Sequence, residues 1–440
     1  RLKPKRVRTY SRADGLTADA IGSIVQDRDG AIWAGAQCGP PARLRNGRFE
    51  PQFTETLRGA CAWVLWPARD GTMWIGTRGS GLYRWRGGQL ESVGGLSDSH
   101  VAALFEDRDG TMWIGTELGG LHLFKDGRLS RAYGPADGVA TGYIASFAQD
   151  RDGRVWIGSN ANGLSVHEHG RFRTLAPEES PPTRNIAGLH VDSRGDLWIG
   201  SAVNGLFRLR NGAYQPFGPE QGLGDKLVAV FVEDRDANLW VGTTGGISRL
   251  DRERVEAVAD GRAATLDPIL LDRSDGMRNT EGSGGGLDPS GLRDRDGRLW
   301  FSTIDGIAVI DPATFERNQV VPTVAVEDTL LDEQPRARRA DGAIEIPAGT
   351  SAIEIGYTAF SFMAPAKMRF RYRLAGFDTT WHAVGARRAA FYSRLPPGDY
   401  TLEVMATNND GLWSAAPATA RVVVLPFFWE RRSVQLAALA

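Results

Sequence analysis

The chain has 440 residues, 52 Lys and Arg against 53 Asp and Glu, a formal net charge of −1 and two cysteines. That length exceeds one ordinary domain and fits two. The balanced, scattered charge gives no argument for a nucleic-acid partner, and none is expected; no complete membrane-spanning segment occurs.

In chain order, residues 6–10 (RVRTY) match the outer-strand segment that precedes later repeats, such as residues 128–133. Seven copies of one phrase follow, each reading roughly Asp-x-Asp-Gly, one residue, apolar, Trp, apolar, Gly-Thr/Ser, then a Gly-rich turn and a further strand; Asp-x-Asp-Gly itself stands at residues 27–30, 107–110, 150–153 and 294–297. The tryptophans are Trp33, Trp74, Trp113, Trp156, Trp198, Trp240 and Trp300, spaced 41, 39, 43, 42, 42 and 60 residues apart. A period near 40 with four short strands per copy predicts propeller blades, each unable to bury its own faces alone. In the third copy, residues 100–107 suit the innermost strand, 111–116 the second and 121–125 the third. Asp126-Gly127, like Asn46-Gly47 and Asn211-Gly212, supplies the hairpin turn. The repeated Trp is expected to wedge between neighbouring blades, because large aromatics carry the most burial per residue.

The Asp-x-Asp-Gly phrase invites a calcium reading, but a calcium loop needs further carboxylates at regular offsets. The copies lack them, so the phrase is read as a capped turn and no metal is predicted. His167 and His169 alternate on one predicted strand, with no matching ligand in the next blade. The last gap is longer by about 18 residues (60 against 42) and contains Ser283-Gly284-Gly285-Gly286. A loop inserted there is expected on one face, covering or lining the axis. The seventh copy lacks an obvious fourth strand, so the N-terminal strand is expected to complete it and remove the ring's open edges.

Cys38 follows the second strand of the first copy and Cys61 opens the innermost strand of the second. Those loops emerge on the same face of adjacent blades, so a disulfide is geometrically reasonable and would suit an oxidising compartment. Two unpaired thiols are the alternative.

From about Pro322 the pattern changes. Residues 323–327, 343–346, 352–357, 367–374, 389–393, 398–407 and 418–425 read as seven short strands, the count of an immunoglobulin-like sandwich. Residues 332–341 form a charged first loop. Pro396, Pro397 and Tyr400 have the look of a tyrosine corner. Trp381, Phe391 and Trp413 either pack this core or face a partner. The organisation predicted is thus all-β: a seven-bladed β-propeller over residues 1–318, an immunoglobulin-like β-sandwich over 319–426, and a 427–440 segment. That segment carries Phe427, Phe428, Trp429 and two arginines before an apolar run, which resembles the approach to a membrane helix.

These residues carry a family resemblance. Residues 106–116 followed by Gly120-Leu121, and residues 233–243, resemble the two-component regulator propeller repeat. Phe370-Arg371-Tyr372-Arg373-Leu374, Gly376-Phe377-Asp378, Trp381, Tyr392, the Leu395–Tyr400 turn and residues 408–414 resemble its companion three-tyrosine (Y_Y_Y) domain. The resemblance implies the periplasmic sensor region of a bacterial membrane receptor. One transmembrane helix would follow, then a cytoplasmic histidine kinase or diguanylate cyclase. It also implies a small-molecule or oligosaccharide ligand, a homodimer formed through the sandwich, no cofactor, and no enzymatic activity in this chain. Related sensors have two propellers and this chain has one, so the binding surface is not carried over.

A candidate surface comes from comparing the copies. Thirteen residues before each Trp stand Ala20, Cys61, His100, Tyr143, Asn185, Leu227 and Leu287; one residue earlier stand Asp19, Ala60, Ser99, Gly142, Arg184, Lys226 and Gly286. Packing dictates the agreeing core positions, and it does not dictate these. Tyr143 can stack on a sugar ring, His100 and Asn185 can hydrogen-bond hydroxyls, and Arg184 and Lys226 can hold a carboxylate or sulfate. The insertion adds Arg278, Asn279 and Glu281. A merely solvated rim and a site at the propeller–sandwich junction are the alternatives. A secreted propeller lyase or carbohydrate-binding protein is the other function class, with His100, Tyr143 and Arg184 as its acid–base candidates. An intracellular interaction scaffold is the third class; it expects reduced cysteines and no membrane segment.

Overall fold

The computed structural model describes residues 5–140, 142–283, 288–361 and 363–430. The chain divides into two compact units, Arg1–Phe315 and Glu316–Ala440. In the first, the described residues form seven four-stranded antiparallel sheets. Their innermost strands are Ile21–Gln26, Cys61–Pro67, Val101–Glu106, Tyr143–Gln149, Ile186–Val191, Val230–Glu233 and Gly291–Arg293. Each innermost strand touches the next, and the last touches the first, so the sheets close into a seven-bladed propeller. The strand Val7–Tyr10 pairs with Gly306–Ile310, Val7 opposite Ile310 and Tyr10 opposite Ile307. Strands from both ends of this unit therefore share the seventh sheet, which leaves the ring no free edge there.

The repeated phrase folds for a reason visible in its hydrogen bonds. In the third blade Asp107 accepts the backbone N–H groups of Asp109 and Thr111 on one oxygen and the Trp113 indole N–H, at 2.9 Å, on the other. The same indole bond recurs from Trp33 to Asp27, Trp156 to Asp150, Trp198 to Asp192, Trp240 to Asp234 and Trp300 to Asp294. Both carboxylate oxygens are thus engaged in closing a turn and orienting a tryptophan. Each indole is then held between blades: Trp113 packs on Val139, Ile144 and Phe147 of the fourth blade, and Trp33 on Leu65, Met73 and Ile75 of the second.

The second residue of the phrase, most often Arg, clasps the next blade. Arg69 donates to the carbonyls of Asp107 and Arg108, Arg108 to that of Arg151, and Arg151 to that of Ser193. Arg235 donates to the Arg295 carbonyl, and Arg295 reaches back to the carbonyls of Asp27 and Arg28 in the first blade. A side chain just ahead of the phrase returns the bond. Glu106, Gln149, Glu233 and Gln26 accept the backbone N–H of Arg69, Arg108, Ser193 and Arg295. The seventh blade is joined to the first by this clasp as well as by the N-terminal strand.

Two readings need correction. The extra length before the seventh copy is not chiefly a face loop. Most of it opens the outer hairpin of the sixth blade between Ile247–Leu250 and Ile269–Leu271, where Asp251 caps the helix Arg252–Ala259. Glu256 of that helix pairs with Arg208 and Arg210, the first almost fully buried. Gly284, Gly285, Gly286 and Leu287 lie outside the described residues. His169 does not share a strand face with His167: it has a φ of +50° in the turn after Gly163–Glu168, while His167 packs on Trp113 and Phe172.

The second unit is a β-sandwich. One sheet runs Gln334–Arg336, Thr323–Leu331, Ala352–Phe360, Ala389–Ser393; the other runs Ile344–Ile346, Ala418–Val424, Gly398–Ala406, Phe370–Ala375, His382–Gly385. Nine strands are described where seven are predicted, because the charged stretch forms the exposed edge strand Gln334–Arg336 and the segment after Trp381 forms His382–Gly385. Alternation along Ala352–Phe360 sends Ile353, Ile355, Tyr357 and Ala359 into the core. Tyr400 donates its hydroxyl to the Pro396 carbonyl at 2.9 Å, the tyrosine corner. Tyr357, Tyr372 and Tyr392 form a chain of ring contacts ending where Tyr392 donates to Asp378 at 2.6 Å. Phe391 faces solvent, whereas Trp381 and Trp413 are half-buried against the Arg371 guanidinium. Residues 431–440 lie outside the described residues, and among those described no helix is long and apolar enough to cross a membrane.

Candidate functional site

The propeller axis is lined by the innermost strands, which approach one another closely. A Cβ on Gly188 would stand 2.3 Å from the Ala229 carbonyl oxygen, so only glycine fits there. The segment Asp288-Pro289 crosses this axis. Asp288 accepts from Leu104 N–H through its carbonyl and from Phe147 N–H, at 3.3 Å, through its carboxylate; the Pro289 carbonyl accepts from Ile24 N–H. Blades one, three and four are thereby tied to the seventh, and the channel has two separate ends.

At the end where the innermost strands begin lie the residues singled out by comparing copies. His100 is 41% exposed in its side chain, with Nδ1 held 3.1 Å from Asp98. Asp98 also accepts the N–H groups of His100 and Leu118; these bonds hold its carboxyl below the usual range although burial alone would raise it. Tyr143 opens its strand opposite Asn160, and burial, reinforced by Glu117, pushes its phenol upward. Arg78 bears on Tyr143 and stacks over Trp63. Asn185 is half-buried, with its N–H bonded to Thr183; Arg184 and Lys226 are exposed. Arg278 pairs with Asp305 at 3.2 Å, and Asn279 accepts the N–H of the exposed Glu281. The connected part of this rim is Arg78, His100, Glu117 and Tyr143, on blades two to four. The other candidates sit on later blades, without a bond to that group.

At the opposite end the channel opens into a cavity of about 430 Å³. Trp66 meets Phe105 edge-on at 5.4 Å, Phe105 stacks on Phe147 at 6.3 Å, and His190 stacks on Phe231 at 6.2 Å. Five consecutive blades each contribute one ring. Asp288 lies at the floor, with Glu106, Gln149, Arg69 and Arg108 toward the mouth. The Asp288 carboxyl is enclosed by protein and reached by solvent through the cavity; burial pushes it up to about 7. His190 Nε2 is buried without a hydrogen-bond partner, and burial lowers this imidazole toward its neutral form. Stacked rings with a few convergent polar groups suit a small polar molecule that has apolar faces. Among the described residues no group of three or more His, Cys, Asp or Glu could hold a metal ion.

Sequence reading missed this end. Opposite each repeated Trp the innermost strands carry Val25, Trp66, Phe105, Ala148, His190, Val232 and Leu292. That variation from small to aromatic marks Trp66, Phe105 and His190, eight residues before the Trp rather than thirteen; Phe147 and Phe231 stand nine residues before theirs.

Cys38 and Cys61 bring their Sγ atoms to 3.1 Å as free thiols on adjacent blades, and burial followed by Cys38 raises the Cys61 thiol. Mild oxidation is expected to join them with loss of two hydrogens and to stabilise the propeller by about 2–3 kcal/mol. Intact mass and melting temperature with and without reductant check this; free thiols after oxidation, or an unchanged melt, would contradict it.

Comparison with known proteins adds three findings. Residues 361–425 match the Y_Y_Y domain family, and residues 95–117 and 138–161 match the two component regulator propeller family. Histidine kinase P4 of Formosa agariphila is 26% identical over 176 residues, 38% of this chain and 12% of the kinase. The extracellular domain assigned to the hybrid two component system BT3049 of B. thetaiotaomicron superposes with a TM-score of 0.71 at 20% identity, covering 96% of this chain and 58% of that one. A streptogramin B lyase superposes with a TM-score of 0.53 at 16% identity, covering 69% of this chain and 97% of the lyase. At those identities the structural likenesses speak for the fold. The chain spans a small part of the kinase and little more than half of the sensor ectodomain.

Proposed function

Because the chain carries two-component regulator propeller repeats and a Y_Y_Y domain, we propose that it is the extracytoplasmic ligand-sensing region of a bacterial two-component-type receptor. The observation that carries the ligand reading is the cavity at the axis, where five blades present Trp66, Phe105, Phe147, His190 and Phe231 around the Asp288 carboxyl. The ligand class is a small molecule or oligosaccharide with apolar ring faces and hydroxyls, stacked on Trp66 or Phe231 and hydrogen-bonded by Gln149 and Asp288. The rim with His100, Tyr143, Arg184, Asn185, Lys226, Arg278, Asn279 and Glu281 is the second candidate surface on the same axis.

In this reading the chain itself catalyses nothing. It works as a homodimer on the periplasmic face of the inner membrane. Ligand binding shifts the population of two receptor arrangements, and the sandwich passes that shift through a membrane helix to a histidine kinase or diguanylate cyclase. Support for this placement is the likeness to ectodomains of that class. The test is signalling by the full-length receptor in cells fed an oligosaccharide panel. Trp66→Ala is expected to lower the response at least tenfold at limiting ligand while leaving surface abundance unchanged. An unaltered dose–response in Trp66→Ala and in Phe231→Ala would overturn the channel site.

A further inference from the structure

The second blade departs from its six sisters at one residue. Where the others have the turn Asp, it has Ala68, 5% exposed. The first blade shows what that Asp does: Asp27 takes the Trp33 indole N–H at 2.7 Å and the Arg43 guanidinium at 2.8 Å on the same oxygen. Arg43 faces Trp33 across the strand pair, and Arg84 faces Trp74 in the same way. Both donors are therefore kept in the second blade while their carboxylate is deleted from the sequence. Asp70 does not replace it, since it accepts Thr72 N–H and pairs with Arg86. Trp74 Nε1 has no acceptor among the described residues. Arg84 turns outward to Glu91, a solvent-exposed pair of the kind that is easily exchanged.

A groove of about 640 Å³ reaches this point, lined by Ala68, Trp74, Arg84, Arg86, Phe124 and Lys125. Its floor is the edge-on contact of Trp74 with Phe124 at 4.9 Å. Two further arginines, Arg69 and Arg108, border it; of its four carboxylates, Asp70 and Glu106 are matched to Arg86 and Arg69, and Asp109 and Asp126 are exposed to solvent.

We propose that the second blade binds an exogenous oxyanion, a carboxylate or sulfate group, between Trp74 Nε1 and the Arg84 guanidinium, where the first blade has its own Asp27 carboxylate. A planar carboxylate can accept from the indole and the guanidinium on one oxygen, as Asp27 does; sulfate offers the same geometry with more acceptors. The site adjoins the axial cavity, sharing Arg69, Glu106 and Arg108 with its lining, and carries a prediction peculiar to its origin: restoring the Asp should abolish it.

The experiment is thermal unfolding of the 440-residue chain titrated with sodium acetate or sodium sulfate, at ionic strength held constant with sodium chloride. The native protein is expected to show a saturable rise of about 2 °C, and the two anions tell which group is preferred. Ala68→Asp is expected to melt higher than the native protein in chloride and to lose the saturable component. Trp74→Phe, which keeps the packing and removes the donor, is expected to lose it too. A rise that is linear in sulfate and equal in all three proteins is surface exclusion and would overturn the proposal. So would a saturable rise that survives in Ala68→Asp. Should Ala68→Asp fold poorly, the Trp74→Phe comparison decides alone.

Discussion

Asp107→Ala is expected to destabilise the propeller by about 3 kcal/mol, far beyond the effect of an ordinary turn substitution. The residue accepts three hydrogen bonds, two from backbone N–H groups of the turn and one from the Trp113 indole. Trp113 is 1% exposed, so its Nε1–H would be left in a site that water does not reach. An unsatisfied buried donor costs its full desolvation, and the turn loses its cap at the same time. Asp107→Asn should cost roughly half as much, because the amide oxygen keeps the turn while the second position can no longer accept the indole. Denaturant unfolding of the three proteins measures this. Equal stability of Asp107→Ala and the native chain would show that the repeated carboxylate is not the organiser of the blade.

The second large effect is expected at Asp288. Its folded pKa near 7 stands above the ordinary carboxyl value of about 3.9. Between those two pH values the folded protein holds a proton that the unfolded chain releases, so stability falls as pH rises through that window and levels off above it. The span corresponds to a loss of up to about 4 kcal/mol. Asp288→Asn keeps the acceptor for Phe147 N–H and has no proton to lose. It should match the native protein near pH 4 and exceed it increasingly up to pH 8. The other titratable and charged groups that line the cavity are His190, Glu106, Arg69 and Arg108. His190 acts in the opposite sense: its pKa is lowered by burial, so its contribution is lost as pH falls through the imidazole range. That term is common to both proteins and cancels in their difference. Parallel stability–pH curves for native and Asp288→Asn would contradict the placement of this carboxyl across the axis.

What the sequence made legible follows from how local each signal is. A Trp held by an Asp six residues earlier is a local device repeated at a fixed period, so blade identity and order could be read directly. The tyrosine corner is equally local, with Tyr400 reaching back four residues to Pro396. The arginine clasps were not legible, because Arg69 and Arg108 meet only once neighbouring blades are placed side by side. The axial cavity was hidden for the same reason: it takes one ring from each of five blades, at positions eight or nine residues before the Trp that the rim comparison did not sample. The helix Arg252–Ala259 had its own mark, Asp251 ahead of Arg-Glu-Arg-Val-Glu-Ala-Val-Ala, but the Gly-rich run downstream drew the insertion to the wrong place. The edge strand Gln334–Arg336 is fully exposed, so it lacked the alternation by which buried strands are recognised.

Calorimetric titration decides whether a ligand enters the axial cavity. A panel of neutral and acidic oligosaccharides is titrated into the native chain, Trp66→Ala and His100→Ala. At least one member is expected to bind the native protein, Trp66→Ala to weaken that binding by tenfold or more, and His100→Ala to leave it nearly unchanged. Binding that survives Trp66→Ala and fails in His100→Ala would move the site to the opposite rim. No binding by any member would contradict the carbohydrate-sensing reading.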